Sequence, residues 1–172
     1  MLAVLAGIKA YKEGAVEKII LTRPAVGVED EQHGFLPGDL NNKMEPWTKP
    51  LMDVILEHYS PKEVTRMLEE QTIEISPLAF MRGRTFLSKY LIIDEAQNLT
   101  PKQMKTLITR AGPGTKIICM GNIAQIDTPY LTEGSSGLTY AVDRFKGWPH
   151  GGHITLARGE RSRLADFASE IL

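Results

Sequence analysis

Cysteine is almost absent. The one at position 119 lies inside an apolar run, KIICM, and has no second thiol to meet. An intramolecular disulfide is excluded, which suits a reducing compartment, and a cytoplasmic location is the expectation. Long hydrophobic runs are missing too. No stretch approaches the ~20 apolar residues that span a bilayer, so no membrane partner is expected. The opening MLAVLAGIKAYKEG is apolar but has no basic region ahead of it, so it does not read as a secretory signal. Neither sign of charge dominates: 20 basic residues stand against 21 acidic ones. A globally basic nucleic-acid binder is excluded, and any such contact must come from a local patch. His33, His58, His150 and His153 show no ligand spacing with one another or with Cys119, so zinc is not expected. Repeats and low-complexity tracts are absent as well. With 42% hydrophobic and 24% charged residues, 172 residues make one ordinary globular domain with a core.

Against this plain background one stretch stands out, KYLIIDEAQN at 89–98. Leu91, Ile92 and Ile93 form a short apolar run, which reads as a strand buried on both faces. Asp94 and Glu95 follow where the strand should end, and in an open α/β sheet ligands sit at that end. The first carboxylate can hold Mg²⁺ through water; the second can orient or deprotonate an attacking water. A strand running into a polar turn would look similar. Ala96 and Gln97 complete DEAQ, which resembles the Walker B box of helicase-type P-loop ATPases.

The rest of the chain alternates helix and strand. Residues 2–13 predict a helix stopped by Gly14, and 17–22 a buried strand ended by Arg23-Pro24. Residues 25–42 form a long loop containing GFLPGDL. A helix is expected over 46–58, with Trp47, Leu51, Val54 and Ile55 on one face. Ser60 to Glu63 predicts a capping box opening a second helix through Val64, Met67 and Leu68. A short strand at 73–76 and a basic turn, MRGRT, come next. Thr100 to Gln103 is another capping box; its helix runs through Met104, Leu107, Ile108 and Ala111 to Gly112-Pro113. KIICM at 116–120 is a strand leading to Gly121, Asn122 and Gln125. A helix over 136–145, a last strand at 153–156, the polar run RGERSR and a closing helix through Leu164, Phe167, Ala168 and Ile171 complete the chain. This pattern predicts the α/β class, a mostly parallel sheet covered on both faces.

Four strand endings are chemically useful: Thr22-Arg23, Asp94-Glu95, Asn122 to Gln125, and the approach to Arg158 and Arg161. Gln125 can bond a terminal phosphate or the attacking water, and Arg161 can stabilise charge developing on that phosphate. Taken singly, a loop glutamine and an arginine run are ordinary surface. Four such endings in order shift the balance toward function.

LTRPAV (21–26), GFLPGDL (34–40), MRGRTF (81–86), IIDEAQN (92–98) and GNIAQIDTPYL (121–131) together resemble the PhoH-like P-loop ATPases. The blocks GSSGLTYAVDRFKGW and RGERSRLADFASEIL look most like the branch in which this domain follows a PIN nuclease domain. The resemblance implies a RecA-like three-layer fold, ATP with Mg²⁺ as cofactors, and hydrolysis coupled to RNA in a helicase-like protein. It implies Glu95, Gln125 and Arg161 as catalytic, and Asp94, Gln97 and Arg158 at the nucleotide, with Asp94 on the metal side. Thr22 and Arg23 match a motif touching the nucleic-acid backbone, and Arg82 and Arg84 are further RNA or phosphate candidates. A homo-oligomeric ring, with an arginine acting on a neighbour's nucleotide, also follows from the resemblance. One departure matters: the sequence has no G-x-x-x-x-G-K-[ST], the loop whose backbone N–H groups and lysine grip the phosphates. The expectation is a domain truncated before or within that loop, inactive alone, with a strand vacancy in the middle of its sheet. The alternative is a non-catalytic RNA- or protein-binding α/β module. A kinase or GTPase ranks low, since no guanine-specificity motif or acceptor site is present.

Overall fold

A computed structural model describes residues 1–24, 49, 52–156 and 162–171. The chain packs as two compact units, Met1–Ala141 and Val142–Leu172. The 25–42 loop, Trp47 and Leu51 of the expected 46–58 helix, and the RGERSR arginines Arg158 and Arg161 lie outside the described residues.

In the first unit, helix α1 (Leu2–Lys12) leads to strand β1 (Lys18–Thr22). A helical segment at 52–56 and helix α2 (Pro61–Glu69) precede β2 (Ile73–Ile75). Then come β3 (Lys89–Ile93), helix α3 (Pro101–Ile108), β4 (Lys116–Cys119) and helix α4 (Gly137–Phe145), whose last residues belong to the second unit. Both capping boxes form as the sequence predicts. Ser60 Oγ accepts from Glu63 N and Thr100 Oγ1 from Gln103 N, while each third-position side chain bonds back. Helix α3 ends at Ile108, short of Gly112. There Ala111 bridges to Phe86, and the Gly112 N–H donates to the Phe86 carbonyl at 2.7 Å.

The strands are all parallel, in the order β2-β1-β3-β4. Successive residues feed opposite layers, as the run of apolar residues requires. Tyr90 and Ile92 pack with Ile8 of α1 and Val64 and Met67 of α2 on one face. Leu91 and Ile93 pack with Phe86, Leu99 and Met104 on the other. Along α1 the buried stripe is Val4, Gly7 and Ile8, while Leu2 is 76% exposed. Gly7 is where helix meets sheet, since a Cβ there would sit 2.9 Å from the Tyr90 ring.

The expected vacancy is corrected. β1 hydrogen-bonds both β2 and β3, and β3 hydrogen-bonds β4, so no gap opens between the described strands. β4 is the flank of this sheet. Ile117, Ile118 and Cys119 stay half-buried, whereas Leu91, Ile92 and Ile93 lose all solvent contact. Burial still pushes the Cys119 thiol up to about 11, and its Sγ lies 3.8 Å from Met104 Sδ.

Glu74 on β2 anchors the far flank. Lys18 Nζ lies 2.7 Å from its carboxylate, and Arg84 and Ser76 bond it as well. Burial opposes its charge, but hydrogen bonds from Arg84, Lys18 and Ser76 outweigh that and hold it at about 2. A carboxyl with a lowered folded-state pKa stabilises above its unfolded pKa and loses that contribution on acidification. Glu74→Gln should therefore lower the unfolding free energy by about 1–2 kcal/mol at neutral pH, after discounting for solvent screening. The gap to the parent chain, followed by urea titrations, should narrow as pH falls from about 5 toward 2.

In the second unit the expected strand at 153–156 is corrected: these residues pair with no strand among the described residues, and Ile154 and Leu156 stay exposed. Their apolar alternation mimics strand periodicity, but alternation by itself does not supply a pairing partner. Trp148 stacks edge-on against Phe145 at 5.6 Å and His150 at 5.3 Å. Helix α5 (Arg163–Ile171) ends the described chain. Among the described residues no helix is long and apolar enough to cross a membrane.

Candidate active site

Strand order decides where the rim of the first unit opens. From β1 the chain crosses to β2 on one side; from β3 it passes to β4 on the other. Adjacent strands whose connections leave in opposite directions open a crevice at their carboxyl ends, where ligands bind in open α/β sheets. Arg23 follows β1 there, and Asp94 and Glu95 follow β3. The structure thus brings Arg23 to the adjacent pair Asp94 and Glu95, some 70 residues further along the chain.

The Asp94 N–H donates to the Thr22 carbonyl at 2.9 Å, which continues the strand ladder by one step. Its half-buried carboxylate has no hydrogen bond or ion pair among the described residues. Glu95 then turns the chain sharply, with φ 50° and ψ 36° in the left-handed region. A side chain there costs on the order of 1–3 kcal/mol, so its surroundings must hold it. The Ala96 N–H donates to the Met120 carbonyl at 2.8 Å, and the Asn98 N–H closes back on the Glu95 carbonyl at 3.0 Å. Arg23 Nη2 lies 3.8 Å from Glu95 Oε1. Both side chains are partly solvated, so this loose pair orients more than it stabilises.

Gln97, expected at the nucleotide, is enclosed by the protein in this conformation. It has no exposed surface, and its amide bonds Glu95 Oε2 at 2.5 Å, the Gln125 carbonyl at 2.9 Å and the Asn122 N–H at 3.2 Å. Gln125 joins the site through its backbone. Its side chain is exposed, with no partner among the described residues. The Thr22 side chain is fully enclosed and its Oγ1 has no hydrogen-bond partner, so in this conformation it offers no surface to a nucleic acid. Arg84 is forked onto Glu74, away from the crevice residues in its bonding, while Arg82 is exposed.

Sequence reasoning passed over Asn98. Its buried Oδ1 accepts from the N–H groups of Asp127 at 2.8 Å and Thr128 at 3.1 Å, bracketing the loop after β4. The only signal was an amide directly after DEAQ. Asn98→Leu should cost about 1–2 kcal/mol in urea unfolding, because two backbone donors lose their acceptor. Asn98→Asp, which keeps an acceptor, should recover part of that loss. Gly137 was missed as well: its N–H reaches the Leu99 carbonyl at 2.6 Å, and a Cβ there would sit 2.6 Å from the Thr100 carbonyl oxygen.

Magnesium keeps several waters and takes one or two carboxylates beside phosphate oxygens, and the open Asp94 carboxylate fits that role. A metal held by protein alone does not fit, since no group of three His, Cys, Asp or Glu converges among the described residues. For the phosphates themselves the sequence provides no Gly-rich cradle.

The family model described as PhoH-like protein matches residues 1–169. Protein PhoH2 of Bacillus subtilis (strain 168) is 41% identical over 177 residues, covering 100% of this chain and 40% of the relative. A PhoH-like protein of the same organism is 48% identical over 146 residues, covering 85% of this chain and 45% of the relative. A PhoH-like protein of Synechocystis sp. is 44% identical over 140 residues, 81% of this chain and 42% of the relative. The chain therefore spans less than half the length of these curated relatives.

Proposed function

The chain belongs to the PhoH-like protein family, and on that footing we propose that it carries the magnesium- and water-handling side of an ATP-hydrolysing site that acts on RNA. The observation that carries this reading is the adjacent pair Asp94 and Glu95 at the β1/β3 crevice, one carboxylate open and the other held by a hydrogen bond from Gln97 and faced by Arg23. Asp94 would hold the ion, which supplies positive charge beside the phosphates when bound. Glu95, kept in place by Gln97 and faced by Arg23, orients the attacking water. The exposed Gln125 side chain is free to swing toward the terminal phosphate. Arg158 and Arg161 enter the proposal on sequence alone, as charges for the nucleotide or for that phosphate. For RNA, Arg82 is the exposed candidate cation and Arg23 is held only loosely by Glu95, whereas the Arg84 guanidinium is forked onto Glu74.

The missing phosphate loop makes a further prediction. The 172 residues by themselves should hydrolyse ATP negligibly, because the sequence has no G-x-x-x-x-G-K-[ST] loop to cradle its phosphates. A chimera joining a strand and a G-x-x-x-x-G-K-[ST] loop directly ahead of Leu2 should turn over ATP at least about tenfold above background, and faster with single-stranded RNA. Phosphate release measured on both proteins tests this. Turnover by the chain alone, lost in Glu95→Gln, would overturn the need for the loop. The same absent loop favours a second reading, a non-catalytic RNA-binding module. RNA binding by the chain, with a chimera that binds ATP but never hydrolyses it, would select that reading.

A further inference from the structure

A fully buried primary amide is costly unless its groups are paired, because each orphan loses its water without replacement. Gln97 meets this demand in an unusual way. It does not bond within its own turn alone. Nε2 donates to the side chain of Glu95 and to the main chain of Gln125, and Oε1 accepts from the main chain of Asn122. One end of the amide thus holds the acid after β3, and both ends hold the loop after β4. The Gln97 carbonyl in turn accepts from the buried Ser136 hydroxyl at 2.8 Å, which fixes the backbone from which the side chain projects.

Gly121 makes this approach possible. A Cβ there would collide with Gln97 Oε1, and would sit 3.0 Å from Gln97 N and 2.9 Å from Leu138 Cδ2. The backbone must pass this close for Asn122 N–H to reach the amide. Gln125 is held through its main chain, its carbonyl by Gln97 and its N–H by the Asn122 carbonyl at 2.9 Å, which leaves its side chain free while its backbone is tied to Glu95 through a single intermediary.

Resting on the reading of Glu95 as the water-orienting acid, we infer that Gln97 is a positioning residue that couples the Glu95 carboxylate to the 121–125 loop. The orientation of the acid and the placement of the loop change together. A ligand or partner that draws the loop toward itself would reset Glu95 without touching it. A side chain that merely filled core volume would produce no such dependence.

Solvent exchange of the Asn122 amide, followed by NMR on the 172-residue chain, reads the coupling without any ATP chemistry. Removing the acceptor with Glu95→Ala should speed exchange at Asn122 on the order of tenfold, because Gln97 is then no longer pinned from its other end. Glu95→Gln, which restores an acceptor oxygen, should return the rate close to that of the parent. Gln97→Met keeps the volume and removes the bonds. It should speed Asn122 by a similar factor, and adding Glu95→Ala should change nothing further. If Gln97→Met does not fold, Gly121→Ala takes its place, since it displaces Oε1 while leaving both partners intact. An Asn122 rate unmoved by Glu95→Ala, or moved equally when Gln97 is replaced, would overturn the inference. In the loop-bearing chimera, Gln97→Met should lower kcat for ATP at unchanged KM. A chimera without turnover but with intact exchange coupling would sink the ATPase reading and leave the link standing.

Discussion

Glu95→Gln in the loop-bearing chimera should lower ATP turnover by about 10²–10⁴-fold with little change in KM, the range a positioned general base supplies. Glu95 sits two residues beyond β3, in a left-handed turn, with its carboxylate held by the Gln97 amide. Glutamine keeps the length and can still accept from Gln97, so the turn and the loop should survive. What disappears is the carboxylate that draws a proton from water. Asp94→Asn should act differently, raising the magnesium concentration needed for half-maximal rate, because it weakens the bond to the ion's water shell. Phosphate release at varied ATP and magnesium separates the two. A Glu95→Gln chimera with undiminished kcat would remove Glu95 from the chemistry.

Leu91→Ala and Ile92→Ala should each lower the unfolding free energy by about 2–5 kcal/mol, the range for emptying a fully buried site. Native domains hold only about 5–15 kcal/mol in total, so either change takes a large share. The two side chains enter opposite layers, Leu91 beside Phe86 and Ile92 beside Ile8, so similar costs would mean that both layers are sealed. Ile117→Ala on the half-buried β4 should cost about half as much, since less apolar surface leaves water there. Urea titrations at constant m-value read all three. Equal losses at Leu91 and Ile117 would contradict the placement of β4 at the flank.

The acid pair, the two capping boxes and the strand-helix alternation were legible because each depends on neighbours within a few residues. Ser60 finds Glu63, and Thr100 finds Gln103, one turn away whatever the rest of the chain does. The apolar run before Asp94 demands burial on both faces wherever it lands. Residues 153–156 mark the limit of that logic. Ile154 and Leu156 alternate like a strand, yet strand formation also requires an edge to pair with.

The amino-acid sequence alone thus determined the class of fold, the family, and the site at which two carboxylates leave a buried strand. Tertiary structure decided that β3 lies between β1 and β4, that Val4 and Ile8 rather than Leu2 face the sheet, and that Gln97 turns inward to Glu95 instead of outward to a ligand. The division has one cause. Periodicity and capping are local, whereas strand order and the partner of a buried amide depend on segments some 25–70 residues away, which only packing brings within hydrogen-bond reach.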